Sequence, residues 1–200
     1  WQIQYGPLTF NLKPFNFKHT GLFPEQAANW DFIIDQIRRS KQDIRVLNLF
    51  AYTGGATMAA AYGGAREVVH VDASKGMVQW AKENMMLSHL EDHKIRFIVD
   101  DVLKFVEREK RRGRTYHAII MDPPSYGRGP KGEIWKIEEQ LYPLVQACMQ
   151  ILDPEALFFL INSYTTGFPA SVLNNILCAT VAKQHPNGVI EYGEIGLPIT

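Results

Sequence analysis

Acidic residues stand where several short apolar runs of the chain end. The run Glu67-Val68-Val69-His70-Val71 ends in Asp72, Ile95-Arg96-Phe97-Ile98-Val99 ends in Asp100 and Asp101, and Ala118-Ile119-Ile120-Met121 ends in Asp122. If these runs are parallel strands, the acids face one crevice, because open α/β sheets bind ligands beyond the carboxyl ends of their strands. An earlier run, Val46-Leu47-Asn48-Leu49-Phe50, opens into Ala51-Tyr52-Thr53-Gly54-Gly55. Paired glycines allow a bound molecule to approach the backbone closely. Asp72 follows that turn by about 20 residues, the separation at which a carboxylate meets ribose hydroxyls. Asp100 or Asp101 is placed to meet an adenine amino group or to fix the loop beside it. The chain has no G-x-G-x-x-G and no Walker Lys-Ser/Thr pair. A nucleoside with a small charged tail is therefore favoured over a dinucleotide or a triphosphate.

Asp122 runs directly into Pro123 and Pro124. Two prolines fix φ and remove two donors, so they form a stiff shelf with defined carbonyl directions. An acid on such a shelf can hold the N–H groups of a nucleophile in line with a methyl sulfonium. Methyl transfer is displacement at carbon, so alignment supplies much of the rate. Asp122 could also take the nucleophile's proton. The next stretch, Ser125-Tyr126-Gly127-Arg128-Gly129-Pro130-Lys131-Gly132, is glycine-rich and basic, with Trp135 and Lys136 beyond. It reads as a substrate loop in which Tyr126 stacks on a base while Arg128, Lys131 and Lys136 meet phosphates.

Each signal has a plain structural alternative. Gly54-Gly55 could be a tight turn without a ligand, Asp72 could cap the following helix, and Asp100 or Asp101 could cap the helix near Leu103. The prolines could simply end a strand, and residues 125–132 could be a solvated loop. The coincidence of acids at successive strand ends favours the binding reading. By contrast, the basic run Arg108-Glu109-Lys110-Arg111-Arg112-Gly113-Arg114 ends a helix that returns to the opposite edge of the sheet. Cations suit a helix C-terminus, so it reads as capping.

The elements that must position these residues alternate. Strands are expected at 45–50, 67–71, 95–99, 118–121 and 157–161, with a last one beginning at 189–194. Helices are expected at 56–62, 74–88, 103–112, 137–152 and 171–181, with Ser74 as a cap and Gly113 as a stop. Five β–α units in series imply an α/β fold, a mostly parallel open sheet covered on both faces. Residues 1–5 and 8–12 flank Gly6-Pro7 as a small hairpin, and 25–39 form a helix. The expected organisation is a front piece, 1–40, covering the mouth of the site, and a binding domain, 41–200.

With 200 residues, 46% hydrophobic, the chain can bury one sizeable core. Lys plus Arg and Asp plus Glu are both 21, so net charge neither proposes nor excludes a nucleic-acid partner. Cys148 and Cys178 read as isolated buried thiols, which suggests no disulfide framework and a cytoplasmic setting. No apolar run reaches the roughly 20 residues that span a bilayer. The six histidines form no metal set, so no metal is expected. The chain starts without Met and ends at Gly193–Thr200 without an evident terminal helix, which suggests a piece of a longer protein.

Five segments carry a family resemblance: His19-Thr20-Gly21-Leu22-Phe23-Pro24-Glu25-Gln26, Leu47 to Gly55, Val71-Asp72-Ala73-Ser74, Asp100-Asp101-Val102 and Met121-Asp122-Pro123-Pro124-Ser125-Tyr126. Together, over residues 19 to about 165, the chain resembles class I S-adenosylmethionine-dependent methyltransferases with Rossmann-like sheets. It is similar in particular to the group of bacterial 23S ribosomal RNA methyltransferases fused to an RNA-binding PUA domain. The resemblance implies S-adenosylmethionine as cofactor, S-adenosylhomocysteine as product, and RNA as substrate. It implies that Phe50, Ala51, Tyr52, Thr53, Gly54 and Gly55 hold the methionine part. Asp72, with Ala73 and Ser74, would bind ribose, and Asp100, Asp101 and Val102 would lie near adenine. Thr20, Gly21, Phe23 and Gln26 would close over the cofactor, and Asp122, Pro123 and Pro124 would face the transferred methyl. It also implies a terminal antiparallel strand. Two departures stand out. Members that methylate cytosine C5 use a cysteine after the fifth strand, where this chain reads Ile161-Asn162-Ser163-Tyr164-Thr165-Thr166-Gly167. A covalent C5 route is therefore not expected. Asp-Pro-Pro-Ser-Tyr is also one residue longer than the Asp/Asn-Pro-Pro-aromatic motif of amino methylases, which shifts Tyr126 from that stacking position. Methyltransferases for a protein or a small molecule, and a non-catalytic cofactor- or RNA-binding domain, are the competing readings.

Overall fold

The computed structural model describes residues 1–14 and 20–197; His19 and the last three residues lie outside them. The chain opens with an antiparallel hairpin, β1 (Gln2–Tyr5) and β2 (Leu8–Asn11). A 3-10 turn, Pro24–Gln26, leads into α1 (Ala27–Arg39). The alternating part follows as β3 (Arg45–Leu49), α2 (Gly55–Tyr62), β4 (Glu67–Asp72), α3 (Lys75–Leu87), β5 (Ile95–Val99), α4 (Val102–Arg111) and β6 (Ala118–Met121). A second small hairpin, β7 (Tyr126–Arg128) and β8 (Ile134–Lys136), precedes α5 (Ile137–Cys148), β9 (Phe158–Ile161), α6 (Ala170–Ala179) and α7 (Val181–Gln184).

The five central strands lie in the order β5-β4-β3-β6-β9, and every pair is parallel. From β3 the chain winds outward through β4 to β5, then returns to the other side for β6 and β9. The connections after β3 and β6 therefore part in opposite directions and leave a crevice between them, the switch point where such sheets bind ligands. The glycine turn and the Asp122 shelf follow those two strands.

Strand alternation distributes the core. Leu47, Leu49, Ile119 and Met121 face the side covered by α4 and α5, in one buried cluster with Phe105, Leu141 and Leu144. Val46, Ala118 and Ile120 face the other side, with Trp30 and Ile33 of α1 and Met58 of α2. Leu8 and Phe10 of β2 join that second cluster. Each such side chain contributes about 1.5–3 kcal/mol on burial, so β2 and α1 are tied to the sheet through Leu8, Phe10, Trp30 and Ile33. Ser74 accepts from Met77 N at 3.4 Å as the cap of α3, and Gly113 ends α4 with φ of 63°.

Five expectations are corrected. Residues 189–194 form no strand, and the central sheet of the described residues is wholly parallel. The stretch after the prolines is a hairpin, because three-residue strands around Gly129–Gly132 are too short to show a period. The helix expected at 171–181 breaks at Thr180, and Cys178 is exposed. Among the described residues no helix is long and apolar enough to cross a membrane, and no group of three or more His, Cys, Asp or Glu could hold a metal ion.

Candidate active site

The crevice is a cleft of about 790 Å³, bordered by Asp72, Asp101, Asp122, Pro123, Pro124 and Tyr164, among others. A smaller chamber of about 60 Å³ adjoins it and shares Phe23, Phe50, Tyr52 and Asp122 with it. Side-chain amides of Gln26, Asn29, Asn48 and Asn162 border the chamber.

The turn between β3 and α2 is built from three left-handed residues, Phe50 (φ 54°), Tyr52 (φ 50°) and Gly54 (φ 89°). Two of them are not glycine, which marks stored strain of the kind found at binding sites. Ala51 N bonds Val71 O at 3.1 Å and Gly54 N bonds Ala51 O at 3.0 Å, so the conformation is fixed. The glycines are also required by the core. A Cβ on Gly55 would lie 2.8 Å from the Trp30 indole, and one on Gly54 would lie 3.1 Å from Ala81 and Met58. Beneath the turn, Asn48 Nδ2 donates to Thr57 Oγ1 at 3.0 Å, and Thr57 Oγ1 pairs with His70 Nδ1 at 2.9 Å. Burial pushes the His70 pKa down to about 3, so this ring is neutral. Asn84 joins the turn to the front hairpin, donating to Thr53 O at 2.9 Å and accepting from Asn11 N at 2.8 Å.

Asp72 ends β4 with both oxygens anchored: Oδ2 accepts from Tyr52 N at 2.9 Å and Oδ1 from Ser74 N at 2.8 Å. Burial raises its pKa, and the two N–H donors lower it. No ion pair engages it among the described residues. A carboxylate offers about four acceptor positions, so roughly two remain for a ligand. Asp101 borders the cleft and caps α4, accepting from Lys104 N at 3.0 Å. Asp100 leaves the site: its carboxylate pairs with Arg108 and accepts from Asp101 N at 2.9 Å, and it borders neither cavity.

Asp122 stands between cleft and chamber. Asn162 Nδ2 donates to its Oδ1 at 3.4 Å. Burial pushes its pKa up to about 6, with Asn162 lowering it and the charge of Glu25 raising it. The shelf beyond it is fastened by Trp135, whose Nε1 donates to Pro124 O at 2.7 Å while its ring packs on Phe50 at 4.7 Å.

The structure brings together most of the residues expected from sequence. Phe23, Phe50, Tyr52, Ala73, Ser74 and Val102 border the cleft, as do Tyr126 and Arg128. Gln26, Ala51, Thr53 and Gly55 border the chamber. Thr20, Gly21, Gly54, Lys131 and Lys136 border neither. Gly21 is buried, its carbonyl accepting from Thr53 Oγ1 at 2.6 Å, and Trp80 packs where a side chain would stand. Lys136 pairs with Glu139 at 2.7 Å. Sequence reasoning missed Asn29, Asn48, Asn162, Trp135 and Tyr164. Asn162 was within reach, since it directly follows a strand; the others depend on which way a side chain turns.

A family model described as S-adenosylmethionine-dependent methyltransferase matches residues 1–167, and the chain belongs to that family. Its cofactor is S-adenosylmethionine. The chain is 43% identical over 89 residues to ribosomal RNA large subunit methyltransferase I of Cronobacter sakazakii, a match covering 44% of this chain and 22% of that protein. It is 32% identical over 152 residues to ribosomal RNA large subunit methyltransferase K/L of Shewanella frigidimarina, covering 76% and 20%. The crystal structure of a SAM-dependent methyltransferase from Agrobacterium tumefaciens matches with a TM-score of 0.86 at 39% identity, over 88% of this chain and 56% of that one. The chain thus spans about a fifth of the length of these curated relatives.

Proposed function

We propose that this chain methylates RNA, with ribosomal RNA as the favoured substrate, as the catalytic part of a cytoplasmic protein. The observation that carries the methyl-transfer reading is a single cleft in which Asp72, Asp101 and Asp122 stand with no ion pair to any of them among the described residues; the ribosomal RNA methyltransferases that the chain resembles support RNA as the substrate. The cofactor fits this donor set. Its ribose diol needs acceptors, which the open positions of Asp72 supply. Adenine would lie by Ala73, Asp101 and Val102. The amino-acid end needs both donors and acceptors. The uncapped first turn of α2 and the amides around the chamber offer them. Bound there, S-adenosylmethionine supplies an electrophilic methyl carbon on a sulfonium.

The protein's part is alignment and proton handling. Asp122 and the carbonyls of the proline shelf would accept a nucleophile's N–H groups and so aim its lone pair at the methyl. The nucleophile would take that methyl carbon from the cofactor, the electron pair of the carbon–sulfur bond staying on sulfur in S-adenosylhomocysteine. The nucleophile's proton passes to Asp122, whose raised pKa suits it to accept one near neutrality. Tyr126 and Arg128 would meet the RNA, with Lys131 and Lys136 at the periphery. Residues 1–40 would form the cover of the cofactor pocket and 41–200 the binding domain.

Tritiated methyl transfer from the cofactor into fractionated cellular RNA, protein and metabolites tests this. Label in RNA is expected. Label confined to protein or metabolites would overturn the RNA reading and leave the methyl-transfer reading standing.

A further inference from the structure

One aromatic ring in the cleft is held from several sides yet left open. Tyr164 lies in the segment after β9 and borders the cleft together with Asp122. Its hydroxyl accepts from Gln26 Nε2 at 2.9 Å, and Gln26 is itself oriented by Asn29, whose Nδ2 donates to Gln26 Oε1 at 2.8 Å. Its ring packs on Phe23 with centroids 5.0 Å apart and planes 30° apart. Its own segment is tied to both sides of the catalytic shelf. Asn162 donates to Asp122, and Thr165 Oγ1 pairs with Ser125 Oγ at 2.8 Å. Despite these restraints Tyr164 remains 47% exposed.

The arrangement suits a platform better than the roles a tyrosine otherwise takes. Burial pushes the phenol pKa well up, and the charges of Asp122 and Glu25 add to this. The hydroxyl therefore stays protonated at neutral pH and is not a base. A ring already fixed at its hydroxyl and on one face loses little rotamer freedom when a second flat group lands on it. Tyr126 differs. It is 53% exposed, and its side chain makes no hydrogen bond or ring contact among the described residues. It also sits on a three-residue strand. A base gripped only by Tyr126 would have to order that side chain first.

We propose that Tyr164 is the stacking platform that lays the methyl-accepting base flat beside Asp122. The proposal rests on the RNA reading above and deepens it. The acceptor is then a planar heteroaromatic ring, taken from unpaired RNA because a stacked base cannot reach the platform. No thiol is needed at the site, and Cys148 is buried in the core with its pKa pushed well up.

The test compares Tyr164→Phe and Tyr164→Leu with the unaltered chain, using the RNA fraction that the unaltered chain labels. Tyr164→Phe keeps the ring and should stay within about threefold of the unaltered kcat/KM, whereas Tyr164→Leu should fall on the order of ten- to a hundredfold, as loss of one base–aromatic stack implies. Calorimetry should find S-adenosylmethionine affinity unchanged in both. Should the leucine variant melt early, Tyr164→His carries the same comparison with a smaller ring, at an intermediate loss. A leucine variant as active as the unaltered chain would overturn the proposal. So would a phenylalanine variant as damaged as the leucine one, or cofactor affinity falling in step with turnover. Labelling of protein alone by the unaltered chain would instead remove the RNA reading, and this platform with it.

Discussion

The two rims of the central sheet both carry buried acids, and they treat them oppositely. At the rim where strands begin, Glu67 of β4 faces Arg114 at 2.6 Å, Lys94 at 3.5 Å and Arg96 at 3.8 Å. Glu109 pairs with Arg112 at 2.8 Å and accepts from Tyr116 Oη at 2.5 Å. Asp153 accepts from Thr115 Oγ1 at 2.7 Å beside Arg45. At the rim where strands end, the hydrogen-bond partners of Asp72, Asp101 and Asp122 among the described residues are backbone N–H groups or a side-chain amide. The exception proves instructive. Among the described residues Asp100 pairs with Arg108, and Asp100 does not border the cleft. Burial alone therefore does not mark a site. An acid whose charge is compensated by cations is structural, while an uncompensated one keeps both charge and lone pairs for a ligand.

The comparison is broken or sharpened by exchanging effects between the rims. The largest expected effect is on catalysis. Asp122→Ala should lower turnover by about 10²–10⁴-fold, the range of a lost general acid–base group, with cofactor affinity nearly unchanged. Equal losses in both, by steady-state rates and calorimetry, would make Asp122 a structural residue. Next comes the opposite rim. Glu109→Ala should cost about 1–3 kcal/mol in a urea titration, because it leaves the buried Tyr116 hydroxyl without its acceptor, while Arg114 keeps Glu67. The folded fraction should bind cofactor normally. A variant of ordinary stability with weakened cofactor binding would erase the distinction between the rims.

Asp72→Ala should weaken S-adenosylmethionine binding by about 1–3 kcal/mol, with little change in melting temperature. Unchanged affinity would remove its ribose role. The smallest effect concerns pH. The Asp122 pKa is raised from 3.8 to about 6 in the folded chain, so its ionisation opposes folding. The stability it contributes is fully present below the unfolded pKa and is lost as pH rises through about 6. Asp122→Asn should therefore raise stability at pH 8 by about 1–3 kcal/mol relative to the unaltered chain, and the gain should vanish near pH 4. In the unaltered chain turnover should fall as pH drops through about 6, when the acceptor becomes protonated. A pH-independent gain in melting temperature would point to packing instead of charge.

Most of the fold was legible because its signals are local. Near-continuous apolar strands such as Ala118–Met121 and amphipathic helices such as Ile137–Cys148 announce a covered parallel sheet, and the strand-end rule places Asp72, Asp101 and Asp122 together. The glycine turn was legible in the sequence, but the packing behind it was not. Only the packed structure shows Trp30 closing on Gly55. The hairpin over the shelf was illegible because strands of three residues carry no period, and its anchor, Trp135 on Pro124 O, spans two elements.

The sequence by itself determined the order of strands and helices and the chemistry available at each strand end, because both follow from residue type at fixed spacing. Tertiary structure decided which acids stay unpaired, which side chains turn into the crevice, and that Tyr164 stands open beside Asp122. These depend mostly on meetings between residues far apart in the chain, such as Gln26 with Tyr164 and Asn162 with Asp122. A carboxylate's charge is written in its residue type; whether that charge is already spent is settled only by what folds against it.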